Sequence, residues 1–176
     1  MIPVTRLALL AVLALSPGVL TAQGSDSAGG ESAPSPRGLG LGGTVDRYLV
    51  GGESYTAISF RGVTFKPEGW SPEFAFGVLP PVGDDGPVAL TTDLGTAYGI
   101  PMPATVLLLK AGSTGIFGLS GGGALVGAYG GAGLVALLGG GVGLRFEATR
   151  RWYLVPGRQP AVWVLSLGLT SMPLRR

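Results

Sequence analysis

The feature that most constrains the fold is a run of 34 residues without a formal charge, Ala111 to Leu144, directly followed by a charged segment. The run is long enough to cross a membrane as a helix or a helical hairpin. Gly123, Gly127 and Gly131 also give the small-xxx-small spacing of packed membrane helices. However, 14 of the 34 residues are glycine, and each glycine inside a helix costs about 1 kcal/mol relative to alanine. We therefore favour strands here and keep a glycine-zipper helical membrane protein as an alternative.

The segment from Leu144 to Tyr153 (LRFEATRRWY) alternates between two faces with a period of two. One face is apolar except near its end and carries Leu144, Phe146, Ala148, Arg150 and Trp152. The other face is mostly charged or polar and carries Arg145, Glu147, Thr149, Arg151 and Tyr153. Such alternation is typical of a strand that has lipid on one side and a polar interior on the other.

The same alternation recurs along the chain and is interrupted by turn-forming residues. The breaks are Gly51-Gly52, Lys66–Gly69, Pro80–Pro87, Pro101–Pro103, Gly121–Gly123, Gly139–Gly141 and Pro156–Pro160. They divide the chain into eight segments of roughly ten residues or more, close to the length of a transmembrane strand. Eight antiparallel strands can close on themselves and leave no open edge in the membrane. The sequence therefore predicts an all-β fold, a closed antiparallel eight-stranded up-and-down transmembrane β-barrel.

The N-terminal segment has the pattern of a secretory signal peptide. Leu7 to Leu15 is an apolar core of nine residues, too short to span a bilayer, and Leu20-Thr21-Ala22 forms a small-residue cleavage site. We expect a signal peptide over residues 1–22, with an uncleaved anchor as the alternative. Residues 23–37 are rich in Ser, Gly and Pro and are expected to form a flexible lead. The barrel is expected over 38–173, with a short tail over 174–176.

The signal peptide, the eight alternating segments and a penultimate strand reading GLRFEATRRWYL resemble the small eight-stranded outer-membrane barrels of diderm bacteria, the OmpA/OmpX-like group. The resemblance covers about Arg37 to Pro173. It implies a monomer in the bacterial outer membrane, in contact with its lipids and inserted by the barrel-assembly machinery. One departure concerns the C-terminus, which reads Ser-Met-Pro-Leu-Arg-Arg, whereas such barrels usually end in an aromatic residue that the assembly machinery reads.

The alternation assigns eight charged side chains to the interior of the barrel. They are Asp46, Arg61, Glu73, Asp93, Lys110, Arg145, Glu147 and Arg151. A narrow barrel has room for side chains but not for a water column, so we expect these four acids and four bases to pair and fill it. A path for protons or small ions along the same charges is the functional alternative.

Several aromatic residues lie near the ends of the predicted strands. They are Tyr48, Tyr55, Trp70, Tyr98, Trp152 and Tyr153. Aromatic girdles at the two interfaces are typical of membrane barrels, so we expect these residues there. Ordinary aromatic residues of a β-sheet core are the alternative, because aromatic side chains favour strands in general.

The composition excludes several classes of function. The chain has no His and no Cys, which removes the Ser-His-Asp hydrolases and thiolate chemistry, and its net charge of +2 does not suggest nucleic acid. Gly38 to Gly43 matches G-x-G-x-x-G but lacks the strand before it and the helix after it that a nucleotide site requires. We therefore expect no catalytic residue, cofactor or metal, and a non-enzymatic structural role in the envelope. The alternative is a secreted soluble β-barrel that encloses an apolar ligand with its apolar face inward.

Overall fold

A computed structural model describes residues 38–65, 70–81, 87–119, 123–155 and 161–172. The predicted signal peptide, flexible lead and tail lie outside these residues. The described chain forms eight strands: β1 (Gly38–Val50), β2 (Glu53–Phe65), β3 (Trp70–Leu79), β4 (Ala89–Met102), β5 (Thr105–Gly118), β6 (Ala124–Gly139), β7 (Val142–Tyr153) and β8 (Ala161–Ser171).

The eight strands form one closed antiparallel barrel, which confirms the predicted fold class. Each strand pairs with the next along the chain, and β1 also pairs with β8, so that Asp46 lies between Ala57 and Ser166. Closure gives every strand two neighbours and leaves no edge with unpaired backbone groups.

The uncharged run from Ala111 to Leu144 forms most of β5, all of β6 and the start of β7. The glycine-zipper helical alternative is therefore wrong. Within the described ranges, no helix is long and apolar enough to cross a membrane.

Glycines form the two-residue turns that the sequence predicts. Gly51 and Gly52 join β1 to β2 with φ angles of 57° and 93°, and Gly140 and Gly141 join β6 to β7 with φ angles of 61° and 77°. Positive φ angles at both central positions suit tight hairpins and favour glycine. The predicted break at Pro101–Pro103 is placed slightly too early. β4 continues to Met102, where Pro101 still pairs with Val106, and the turn falls at residues 103–104.

The two faces of the barrel wall differ sharply in polarity. Large apolar side chains on the outward face are exposed, with Leu94 at 56%, Phe146 at 48% and Leu167 at 48%. Charged and hydroxyl side chains on the inward face are buried. This orientation is the reverse of the one that a soluble barrel with an enclosed apolar ligand requires.

Two apolar layers lie inside the barrel, one near each end. We call the end where β1 begins and β8 ends the proximal end, and the opposite end the distal end. The proximal layer consists of Val63, Ala97, Val106, Leu108, Val135 and Met172. The distal layer consists of Tyr48, Ala57, Tyr153, Val162 and Val164. The charged side chains lie between these layers.

Candidate functional site: a charge network inside the barrel

All eight side chains that the alternation assigns to the interior point into the barrel, and none is more than 5% exposed. They come from six of the eight strands, with three of them on β7. Their alternating positions explain the placement, because side chains two residues apart on a strand share a face. Four acids and four bases thus meet in one buried network without net charge.

Arg61 on β2 links the separate parts of the network. Its Nη2 atom donates to Oδ2 of Asp46 at 2.8 Å. Its Nη1 atom lies 3.3 Å from Oε2 of Glu147, and the same atom lies 3.7 Å from Oδ2 of Asp93 and 4.0 Å from Oε1 of Glu73. A single guanidinium therefore faces carboxylates from four other strands.

A second group lies around Glu73 and Glu147. The Nζ atom of Lys110 lies 2.5 Å from Oε1 of Glu73 and 2.6 Å from Oε2 of Glu147. Arg145 bridges the same two carboxylates, with Nη2 at 2.9 Å from Oε1 of Glu73 and Nε donating to Oε1 of Glu147. Two bases thus compensate two acids by direct contact.

A third group lies toward the distal end around Arg151. Its Nη2 atom donates to Oδ2 of Asp93 at 2.8 Å, and its Nη1 atom donates to Thr114 Oγ1 at 3.1 Å and to the Tyr48 hydroxyl at 2.9 Å. The Arg151 guanidinium also lies 4.9 Å from the centre of the Tyr48 ring. This group connects the charges to the distal apolar layer.

Hydroxyl side chains also take part in the network, and they are not among the predicted interior residues. Thr44 and Ser59 donate to Asp46 at 2.9 and 2.6 Å, and Arg61 donates to Thr44 at 2.9 Å and to Ser166 at 3.3 Å. Thr44 and Ser59 each lie two residues from a predicted interior charge on the same strand. The alternation that located the charges could therefore have located these partners as well.

Inward-facing glycines provide the space that the long side chains occupy. A Cβ at Gly133 would lie 2.9 Å from Cγ of Glu147. A Cβ at Gly95 would lie 2.5 Å from the hydroxyl of Tyr129, and one at Gly112 would lie 2.8 Å from Cε1 of the same ring. Tyr129 is 4% exposed and thus fills the place of the two missing side chains.

The structure places two of the six residues of the predicted aromatic girdle inside the barrel. Tyr48 and Tyr153 are each 2% exposed and belong to the distal layer inside the barrel, and Tyr55 packs against that layer. The reason is strand alternation, since Tyr48 shares the face of Asp46 and Tyr153 shares the face of Arg151. Position near a strand end does not decide which way a side chain points.

The other three predicted girdle residues face outward. Trp70 packs against Tyr98 near the proximal end, with 5.5 Å between ring centres, and Trp152 is 41% exposed near the distal end. Their outward orientation near the two ends is what an aromatic girdle requires.

Direct ion pairs compensate all four carboxylates of the network. Each of the four carboxylates has at least one basic partner within 3 Å. Within the described ranges, no group of three or more Asp, Glu, His or Cys residues is arranged to hold a metal ion. The network lies between two apolar layers, so its members face one another and not an open cleft.

The fold has relatives among solved structures, although the sequence does not match a known family. No protein-family model and no curated protein matches the chain. The N-terminal β-barrel domain of OprF from Pseudomonas aeruginosa has a TM-score of 0.58 at 13% identity, over 77% of this chain and 98% of that domain.

Two further structures have the same architecture. A de novo designed transmembrane β-barrel has a TM-score of 0.55 at 12% identity, over 78% of this chain and 96% of the design. Neisserial surface protein A has a TM-score of 0.53 at 9% identity, over 76% of this chain and 94% of that protein. The chain therefore has the fold of the eight-stranded transmembrane barrels found in bacterial outer membranes.

Proposed function

We propose that this protein is a non-enzymatic barrel of the bacterial outer membrane with a structural role in the envelope and an interior closed to solutes. The observation that carries the proposal is the buried network of eight charges between two apolar layers. An eight-stranded barrel is just wide enough for side chains to fill, and here long Arg, Lys and Glu side chains occupy its middle.

The outward face of the barrel supports a membrane location. Large apolar side chains are exposed on every strand, and soluble proteins rarely leave an apolar surface of this extent in contact with water. In a bilayer the same side chains would contact lipid tails and form the apolar belt of an outer-membrane barrel. Outer-membrane lipids are accordingly the first partners that we propose.

The paired charges support a closed interior. A buried charge is tolerated when it is paired and hydrogen-bonded, and removal of one partner leaves the other uncompensated. An ion that passed through the network would have to break several of these contacts at once. This argument favours the structural role over a path for protons or small ions.

Export and assembly are further parts of the proposal. The predicted signal peptide over residues 1–22 would direct the chain out of the cytoplasm. The barrel-assembly machinery would then insert it as a monomer.

Conductance across a planar lipid bilayer tests the closed interior. The refolded full chain is added to the bilayer, and a general porin serves as the positive control. We expect no current steps, because side chains fill the middle of the barrel and apolar layers cover both sides of it. Discrete single-channel steps from a preparation that also shows heat-modifiable gel mobility would overturn the closed interior while leaving the barrel intact.

A further inference from the structure

The described outward face of the strands carries positive charge near one end. Of the charged residues in the described strands, eight face the interior, Glu53 lies at the distal rim, and Arg47 and Arg150 face outward. Both arginines lie three residues before the distal end of their strands, β1 and β7. The described outward face thus offers two positive charges near the distal interface and no acid to compensate them.

The two arginines differ in what surrounds their guanidinium groups. Arg47 donates from Nη1 to Thr56 at 3.0 Å and from Nη2 to Ser54. Arg150 instead lies beside two indole rings, with its Cζ atom 5.8 Å from the centre of the Trp152 ring and 5.7 Å from that of Trp163. Among the described residues, Arg150 forms no ion pair and no side-chain hydrogen bond. The two rings hold the guanidinium at the surface while its donors are left for another partner.

A shallow and open apolar groove lies on the outward face, and its lining reaches Ala148, the next outward position from Arg150 along β7. It has a volume of about 300 Å³, and its lining includes Leu107, Leu134 and Phe146, with Ala132 and Ala148 among the small residues. The strand registers give its direction: Arg150 pairs with Gly130, Ala148 with Ala132, and Phe146 with Leu134. The groove therefore runs from the position next to Arg150 toward the middle of the barrel wall.

We propose that Arg150 and this groove bind one anionic lipid of the leaflet at the distal end, with its phosphate on the guanidinium and an acyl chain in the groove. This proposal rests on the proposed membrane location. A guanidinium matches a phosphate because two parallel N–H groups can donate to two oxygens. The groove accepts hydrocarbon because almost all of the surface that lines it is apolar, although Glu147 also belongs to the lining.

The dimensions fit such a lipid. Arg150 and Phe146 are four residues apart on β7, which corresponds to about 13 Å along the strand. Arg150 lies near the expected membrane interface, and the groove lies deeper in the membrane. A lipid headgroup and its acyl chain follow the same order. The tryptophans beside Arg150 are also residues that favour the membrane interface.

Tryptophan fluorescence can test the proposal, because Trp152 and Trp163 flank Arg150. The Trp70→Phe chain is refolded into phosphatidylcholine vesicles that contain a small fraction of brominated lipid, either phosphatidylglycerol or phosphatidylcholine. Bromine quenches a nearby indole, so the ratio of the two quenching signals reports the preference for the anionic lipid. We expect a preference of roughly fivefold, which corresponds to one arginine contact with an anionic lipid.

Three variants of the Trp70→Phe chain distinguish binding at this site from general attraction of anionic lipid to positive charge. Arg150→Gln is expected to abolish the preference, and Arg47→Gln, which removes the same charge from the same end of the barrel, is expected to retain most of it. Ala132→Leu is expected to weaken the preference by filling the groove while leaving both arginines in place.

Each contrary result has a defined meaning. Equal quenching by the two lipids, or a preference that survives Arg150→Gln, would overturn the lipid site. An equal loss in Arg47→Gln would overturn it as well, since diffuse attraction would then explain the preference. Absence of quenching by either lipid would contradict membrane insertion, and the proposed function and the lipid site would fail together.

Discussion

At the scale of single residues, Arg61 is the side chain on which the interior depends most. Its guanidinium lies within 4.0 Å of carboxylates on four other strands. Lys110 and Arg145 each contact two acids, and Arg151 contacts one. Loss of Arg61 would therefore disturb the balance of the whole network.

We expect Arg61→Met to destabilise the barrel by about 3–5 kcal/mol, because it leaves buried carboxylates without compensation. Urea unfolding in phospholipid vesicles measures the change. Arg47→Met is the matched control, since Arg47 is an exposed arginine on the outward face, and its effect should stay within about 0.5 kcal/mol. Equal stability of the two variants would contradict the role of Arg61.

Gly95 gives a second prediction at this scale. A Cβ there would contact the Ala111 carbonyl oxygen and the Tyr129 hydroxyl, so we expect Gly95→Ala to cost about 1–3 kcal/mol through overpacking. At Gly130 the nearest atom to an added Cβ lies 3.8 Å away, so Gly130→Ala should have little effect. The same unfolding assay compares them, and a smaller loss at Gly95 than at Gly130 would argue against the packing of Tyr129.

The alternation of the sequence locates the buried charges but does not show which of them pair. It assigns Arg61 and Glu147 to one interior, yet it does not show that Arg61 faces four carboxylates, because those contacts depend on the register between distant strands. The misplaced Tyr48 and Tyr153 have a different cause. Nearness to a strand end suggests a girdle position for both residues, whereas the face on which each one lies follows from Asp46 and Arg151 and points inward.

At the scale of strands, the difference in polarity between the two faces decides how well a strand can be predicted from the sequence. In β7 the inward Arg145 and Glu147 oppose the outward Phe146 and Ala148, so the sequence defines both the strand and its orientation. In β6 glycine and alanine occupy both faces, so polar and apolar residues hardly alternate. The position of β6 is set by its pairing with β5 and β7, and the residues of β6 alone do not predict that pairing.

The outward orientation of Ala148 gives the prediction at this scale. Ala148 faces outward on β7, two residues deeper in the apolar belt than Arg150, so Ala148→Arg should cost about 1–3 kcal/mol, between the costs at the interface and at the bilayer midplane. Ala161→Arg is the control on the same face, because Ala161 begins β8 near the distal end and the cost there should be about 0–1 kcal/mol. Folding yield and urea unfolding in vesicles measure both, and an unchanged yield for Ala148→Arg would contradict a lipid-facing position.

At the scale of the whole molecule, closure of the barrel and filling of its interior serve the same need, which is to give polar groups partners away from water. Closure pairs every strand on both sides, and the narrow interior that results is occupied by a neutral network with an apolar layer on each side. The apolar face is left outside, where only a lipid environment would cover it on all eight strands. Turn spacing and strand length predict this architecture well, because a membrane barrel requires both.

The mobility of boiled and unboiled protein on a denaturing gel, after extraction from fractionated cells, tests the account most directly. A closed barrel resists detergent until it is heated, so the unboiled protein from the outer-membrane fraction should run faster than the boiled protein. A single band of unchanged mobility, recovered from the soluble periplasmic fraction, would contradict an outer-membrane barrel.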